Sequence, residues 1–273
     1  MDRIADLHDR MNHAASPSVM SRAIKFGAWT GVNDIHPSTI DQVYRKQQCL
    51  SCLVGKINHL PRENGSGIRP NIFGQAASVD WVPVNPVSIA GHIGFYMFSE
   101  ASVDLKFGVL SKTHDSEHLI TAVNLFVSHL KQFKHTLRYL RYDAGKVENA
   151  AEVTTALNDL NITTDPAAPE SQFQNPAERN YQTVMKGVAA MFAGQEHMRE
   201  NYWNIALLAY LAADTACPNS VSGEFSPEFH LTGRHPDLAK RFQFKFGQPV
   251  VSVILKDQKS KFAFGPRGEF AQV

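Results

Sequence analysis

The chain has 273 residues, 43% of them hydrophobic and 19% charged, with a formal net charge of +1. That length and composition describe a folded protein with one sizeable core and room for a small satellite, and exclude a disordered, low-hydrophobicity chain. The longest apolar run, Ile205 to Ala213, falls short of the roughly 20 residues a membrane span needs, and the N-terminal MDRIADLHDR lacks the apolar centre of a signal peptide, so an intracellular protein without membrane attachment is expected. Basic residues are dispersed, which leaves nucleic-acid binding to local clusters or to a segment beyond this sequence.

Residues 1 to about 60 hold two histidines early and two cysteines late, His8 and His13, then Cys49 and Cys52. Two histidines plus a Cys-x2-Cys turn make a closed set of four N and S ligands, the chemistry of structural zinc rather than of a catalytic ion with an open position. About 60 residues rarely bury enough apolar surface to fold alone, and structural zinc supplies roughly 10–16 kcal/mol. The competing reading makes the histidines surface residues and the thiols buried hydrophobes, with His36 and His59 also at hand. Cys217 is expected to be a core residue.

Residues 61–75, rich in Pro, Gly and Ser, read as a linker. Ala76–Val84, Ile93–Glu100 and Leu105–Ser111 follow as short apolar runs with turn residues between them, predicting three antiparallel strands. Asp115–Lys134 has apolar residues at helical spacing, Thr136–Tyr142 reads as a fourth strand, Glu148–Leu157 as a short helix and Asn161–Thr164 as a fifth strand. The stretch from Ser171 to Phe192 predicts a helix opened by Asn175 as cap and Pro176 at its first position, with an inward face of Ala177, Tyr181, Val184, Met185, Val188, Ala189 and Phe192. Asn201–Ala213 predicts one more helix; beyond Phe225 the pattern is irregular, with strand-like runs at Pro249–Leu255 and Lys261–Phe264. This order predicts an RNase H-like α/β core with a mixed five-stranded sheet, preceded by a small helical zinc-binding unit.

In such a core the first and fourth strands lie side by side. Asp80 on the first, Asp143 at the end of the fourth and Glu178 at the start of the later helix would then converge. Each also has a local role: Asp80 as a strand-end residue, Asp143 as the opening of a turn to Gly145, Glu178 as the third residue of a capping box. Two unit charges 4 Å apart cost about 4 kcal/mol at an effective dielectric near 20, so three converging carboxylates call for cations, and two Mg2+ or Mn2+ ions are the natural choice for in-line displacement at phosphorus. Arg179 follows Glu178 directly, and Lys186 returns near the same helix face two turns on; both are candidate DNA phosphate contacts, with a solvated lysine as the other reading of Lys186.

Several blocks resemble the integrases of copia-type (Pseudoviridae) long-terminal-repeat retrotransposons, nearly end to end. HDRMNH and CLSCLVGKINHLP resemble the two zinc half-sites, SVDWVPVNP and YLRYDAGKVE the two acidic strands, QNPAERNYQTV the family's QNG-x-AER-N-RT stretch, and HLTGRHPDL with FGQPVVSV the block after the core. The resemblance implies a zinc-binding N-terminal domain at 1–60, a linker at 61–75, a catalytic core at 76–225 and a post-core segment at 226–273. It implies removal of nucleotides from the 3′ ends of element DNA and joining of those ends to target DNA, with Asp80, Asp143 and Glu178 holding catalytic metal and His8, His13, Cys49 and Cys52 holding zinc. It further implies a homo-oligomer, associating through the helices around 115–134 and 201–213, a possible host targeting factor, and passage from a cytoplasmic virus-like particle to the nucleus. Ala144, Lys146, Val147 and Pro176 depart from the family pattern, and the family's basic C-terminal tail is not seen, so the chain is expected to be a piece of a longer polyprotein. The departures also motivate a rival reading, a domesticated or catalytically defective integrase-like protein that binds DNA or partners. A nuclease acting on RNA–DNA hybrids is a third, against which the His/Cys unit speaks.

Overall fold

Period-two alternation in ASVDWV sends Ala77 and Val79 to one side of a strand and Ser78, Asp80 and Val82 to the other, and the fold follows from having a core on each side. The computed structural model describes residues 2–32, 34–46, 49–55, 72–142, 150–166, 176–195, 197–253 and 268–272. Asp143, Asn175, most of the expected linker and the run at 261–264 lie outside the described residues.

Strands β1 (Ala76–Pro83), β2 (Gly94–Glu100), β3 (Lys106–Ser111), β4 (Tyr139–Tyr142) and β5 (Thr163–Pro166) form one sheet in the order β3-β2-β1-β4-β5. The first three pair antiparallel, while β1 with β4 and β4 with β5 are parallel. The sheet is therefore mixed and five-stranded, and its first and fourth strands are neighbours.

Ten α-helices lie among the described residues: α1 (Asp2–Arg10), α2 (Pro17–Lys25), α3 (Pro37–Lys46), α4 (Leu50–Gly55), α5 (Ser116–Gln132), α6 (Ala151–Asp159), α7 (Pro176–Ala193), α8 (Trp203–Ala216), α9 (Pro227–Thr232) and α10 (Leu238–Arg241). On one sheet face Leu119, Val123, Phe126 and Leu130 of α5, with Val153 and Leu157 of α6, cover Ala77, Val79, Tyr96, Phe98, Leu140 and Tyr142. On the other, Val184, Val188 and Met191 of α7 and Trp203, Leu207 and Tyr210 of α8 cover Val82, Phe95 and Met97. The α7 and α8 backbones approach closely at Gly187, where a Cβ would overlap the buried Tyr210 ring.

Along α7 the inward stripe differs in part from expectation. Ala177, Val184 and Val188 are buried as expected, whereas Ala189 is exposed and Asn180, Ala190 and Met191 are buried. The helix packs on the sheet, on α8 and on α4 at once, so its buried arc is rotated and wider than a one-sided stripe.

The N-terminal helices do not close a core among themselves. Met11, Met20, Trp29 and Ile40 share one cluster with Ala213, Ala216 and Cys217 at the end of α8, with Leu238 of α10 and with Phe242 just after it. The Trp29 indole N–H donates to the Ala216 carbonyl at 2.7 Å, and the Cys217 thiol donates to Ala213 O at 3.1 Å. Beyond residue 225 the chain is more regular than its pattern suggests: Ser226 caps α9, Pro227 opens it and Gly233 at φ 72° ends it. β6 (Pro249–Val253) pairs antiparallel with β7 (Gly268–Gln272), a strand that lies past the run expected at 261–264. Among the described residues no helix is long and apolar enough to cross a membrane.

Candidate metal centre and acidic face

His8, His13, Cys49 and Cys52 come together. His8 lies in the last turn of α1; the chain then bends through Asn12 and His13 in left-handed conformations, φ 51° and 60°, and the His13 N–H returns to the His8 carbonyl at 3.1 Å. Asparagine takes that conformation readily; histidine does so less often, and here it swings the ring back beside His8. The two rings meet edge to face with centroids 4.9 Å apart.

The Ala15 carbonyl, 2.9 Å from His8 Nδ1, can only accept, so the proton sits on Nδ1 and the Nε2 lone pair faces Cys52 Sγ at 3.1 Å. His13 Nδ1 lies 3.4 Å from Cys49 Sγ. All four donor atoms lie within 4.8 Å of one another. Tetrahedral zinc with bonds of about 2.0–2.3 Å needs donor–donor edges of about 3.3–3.8 Å, so adjustments of no more than about 1.5 Å complete the site. The hydrogen bond from Cys52, joined by those of His13 and His8 and opposed by burial, pulls the Cys49 thiol well below its usual range, towards the thiolate that binds metal. Tyr44 packs its ring edge on His8 at 5.6 Å, and its buried hydroxyl has no hydrogen-bond partner among the described residues. Burial first, and then the Cys49 and Cys52 thiols, push that hydroxyl's pKa up, which keeps it a neutral O–H donor beside the sulfurs. A two-His, two-Cys donor set with a spare O–H donor next to it can hold a metal ion and is consistent with zinc.

The quartet abuts the C-terminal end of α7. α4, which carries Cys52, packs along α7, and a Cβ on Gly194 would lie 3.1 Å from Ser51 Oγ and 3.4 Å from His13 Nε2. At about 1.5 Å per residue, Glu178 in the first turn of α7 is about 24 Å from Gly194. The His/Cys quartet and Glu178 therefore lie at opposite ends of one helix.

At the other end, Asp80 shares the β1 face of Val82, the side covered by α7, and α7 packs on β1 and β2. Asp80 and Glu178 are each half-buried. Arg179 is exposed and Lys186 half-buried. The parallel register of β1 with β4 ends at Val79 opposite Tyr142, the residues that immediately precede Asp80 and Asp143.

The fold is similar to that of a viral intasome chain. A chain of the cryo-EM structure of the simian T-cell lymphotropic virus intasome in complex with PP2A regulatory subunit B56 gamma matches 88% of this protein and 82% of its own length, with a TM-score of 0.52 and 11% sequence identity. At that identity the likeness is one of fold. No protein-family model and no curated protein matches the sequence.

Sequence reasoning missed a buried polar chain beneath the start of α7. Asn180 donates through Nδ2 to Ser99 Oγ at 2.9 Å and to Asp104 Oδ1; Lys106 Nζ lies 3.6 Å from Asp104 Oδ2 and 2.8 Å from Asp214 Oδ2. Its signal was present: an asparagine in the apolar stripe of a helix and a lysine opening a strand otherwise written FGVL.

Proposed function

We propose that this protein is an integrase of the copia-type retrotransposon class, a metal-dependent polynucleotidyl transferase with an RNase H-like core that processes 3′ ends of element DNA and joins them to target DNA. The observation that carries the reading is the β1–β4 register: adjacent parallel strands are paired up to the residue before Asp80 and the residue before Asp143, and the helix with Glu178 in its first turn packs across β1. The similarity in fold to an intasome chain supports it.

Asp80, Asp143 and Glu178 would hold two Mg2+ or Mn2+ ions, an all-carboxylate donor set suited to hard cations. When bound, such ions supply activation of the attacking oxygen and stabilisation of the leaving oxygen in an in-line displacement at phosphorus. The chain's own residues position: the sheet holds Asp80, the first turn of α7 aims Glu178, and Arg179 and Lys186 neutralise DNA phosphates. His8, His13, Cys49 and Cys52 hold structural zinc in the 1–60 unit, which leans on α7 from its far end. Self-association is supported by half-exposed Leu125 on α5 and Ile205 and Leu208 on α8, the helices expected to mediate it. The similar structure is an intasome held with a PP2A regulatory subunit, which supports a multimer that also meets a host factor. The site of action is the nucleus, after assembly in a cytoplasmic particle.

Asp80→Asn is expected to lower Mg2+-dependent joining of an oligonucleotide end to plasmid DNA by on the order of 10³-fold or more, because a carboxylate ligand of the ions that would stabilise the negative charge developing at phosphorus is lost, and to leave zinc content unchanged. Joining at the wild-type rate by that variant would overturn the reading. DNA binding by the wild type without any Mg2+-dependent cleavage or joining would favour a domesticated, non-catalytic protein instead.

A further inference from the structure

We propose that Asn180 is a positioning residue for Glu178: its side-chain amide, held between Ser99 and Asp104, fixes the rotation of α7 about its own axis and so the direction of the Glu178 carboxylate. The inference rests on the reading of Asp80, Asp143 and Glu178 as a metal site.

Asn180 is 7% exposed and sits in the same inward stripe as Ala177 and Val184, where packing alone would be served by an aliphatic side chain. A buried amide is unfavourable there unless it is hydrogen-bonded, and Nδ2 has two acceptors, the Ser99 hydroxyl at 2.9 Å and an Asp104 carboxylate oxygen. Apolar contacts are non-directional, whereas these bonds weaken steeply with angle. They also reach fixed points. Ser99 is on β2, opposite Ser78, which lies two residues before Asp80 on β1. Asp104 stands in the β2–β3 turn at φ 61°, a left-handed conformation that aspartate tolerates, and Lys106 ties it to Asp214 of α8. The amide thus references the first turn of α7 to the sheet that carries Asp80 and to α8.

The geometry sets how much this matters. A side-chain tip about 6 Å from the helix axis moves roughly 2 Å when the helix turns by about 20°. Metal–ligand distances are held to about 0.2 Å. A rotation of that size is therefore enough to remove Glu178 from a shared ion.

The test uses the full chain with Mn2+ as probe, titrated by electron paramagnetic resonance, and the joining assay for kcat and KM. Asn180→Ala is expected to weaken Mn2+ affinity by about tenfold or more and to lower kcat by about 100-fold, with the KM for DNA and the zinc content unchanged. Asp104→Gly keeps the left-handed turn and removes the acceptor while Lys106 retains Asp214 at 2.8 Å, so it gives the same loss without touching α7. The exchange Asn180→Asp with Asp104→Asn restores an amide–carboxylate pair and is expected to recover most of the affinity. Asn180→Ala and Asp104→Gly binding Mn2+ like the wild type, while Asp80→Asn abolishes binding, would overturn the inference and leave the metal site standing. Undiminished Mn2+ binding by Asp80→Asn would overturn the metal site and the inference with it.

Discussion

Cys52→Ser is expected to cost the protein the zinc proposed for its His/Cys quartet, its N-terminal helices and the far support of α7. The binding free energy of a structural zinc site, on the order of 10 kcal/mol, is folding free energy for the unit that contains it. Here that unit is not isolated. Met11, Met20, Trp29 and Ile40 share their core with Ala213, Ala216, Leu238 and Phe242, so unfolding α1–α4 also strips cover from α8 and α10. Arg10 donates to the Phe242 carbonyl at 3.3 Å, and Lys245 lies 3.5 Å from Asp6 and 3.3 Å from Asp9, so the post-core segment loses its partners too. The expected result is less than one zinc per chain by elemental analysis, a fall in helical circular dichroism exceeding that of α4 alone, and a lower thermal midpoint. Wild-type helicity and midpoint in the metal-free variant would show that the quartet is not structural.

Lys106→Met is expected to destabilise the fold by about 3–5 kcal/mol, the cost of leaving a buried charge without its partner. Lys106 is 6% exposed, 2.8 Å from Asp214 Oδ2 and 3.6 Å from Asp104 Oδ2. Burial alone would depress the ammonium's pKa; Asp214 and then Asp104 outweigh it and leave the pKa raised above the usual 10.5. A cation that titrates higher in the fold than in the unfolded chain contributes fully below about 10.5, and that contribution is lost as pH rises through the folded value. Urea unfolding at pH 7 checks the magnitude. Lys106→Met combined with Asp214→Leu removes both charges and is expected to recover much of the loss. A change below about 1 kcal/mol in the single variant would mean that Asp214 finds another partner.

Much of this was legible in local pattern. Alternation marked β1, helical spacing marked α5, α7 and α8, and the strand order placed β1 beside β4. The His/Cys spacing named the quartet, because ligands set at both ends of a short unit declare themselves in sequence. What stayed hidden depends on which elements meet. The outward placement of Ala189 and the burial of Met191 follow from α7 packing on three partners, which a single periodicity does not encode. The reliance of α1–α4 on α8 and α10 has no local signature. Asn180 and Lys106 interrupt apolar patterns, and their role is visible only with Asp104 and Asp214 beside them. Sequence reasoning missed α9 for another reason: the periodicity of so short a helix is weak, and its signals are the capping residues Ser226, Pro227 and Gly233.

The most direct test is a crystal structure of the full chain soaked in Mn2+ and recorded at the manganese absorption edge. The expected result is anomalous density bound by the carboxylates of Asp80, Asp143 and Glu178, about 24 Å along α7 from the His/Cys quartet. Carboxylates of Asp80 and Glu178 more than about 10 Å apart, with no manganese between them, would contradict a two-metal site.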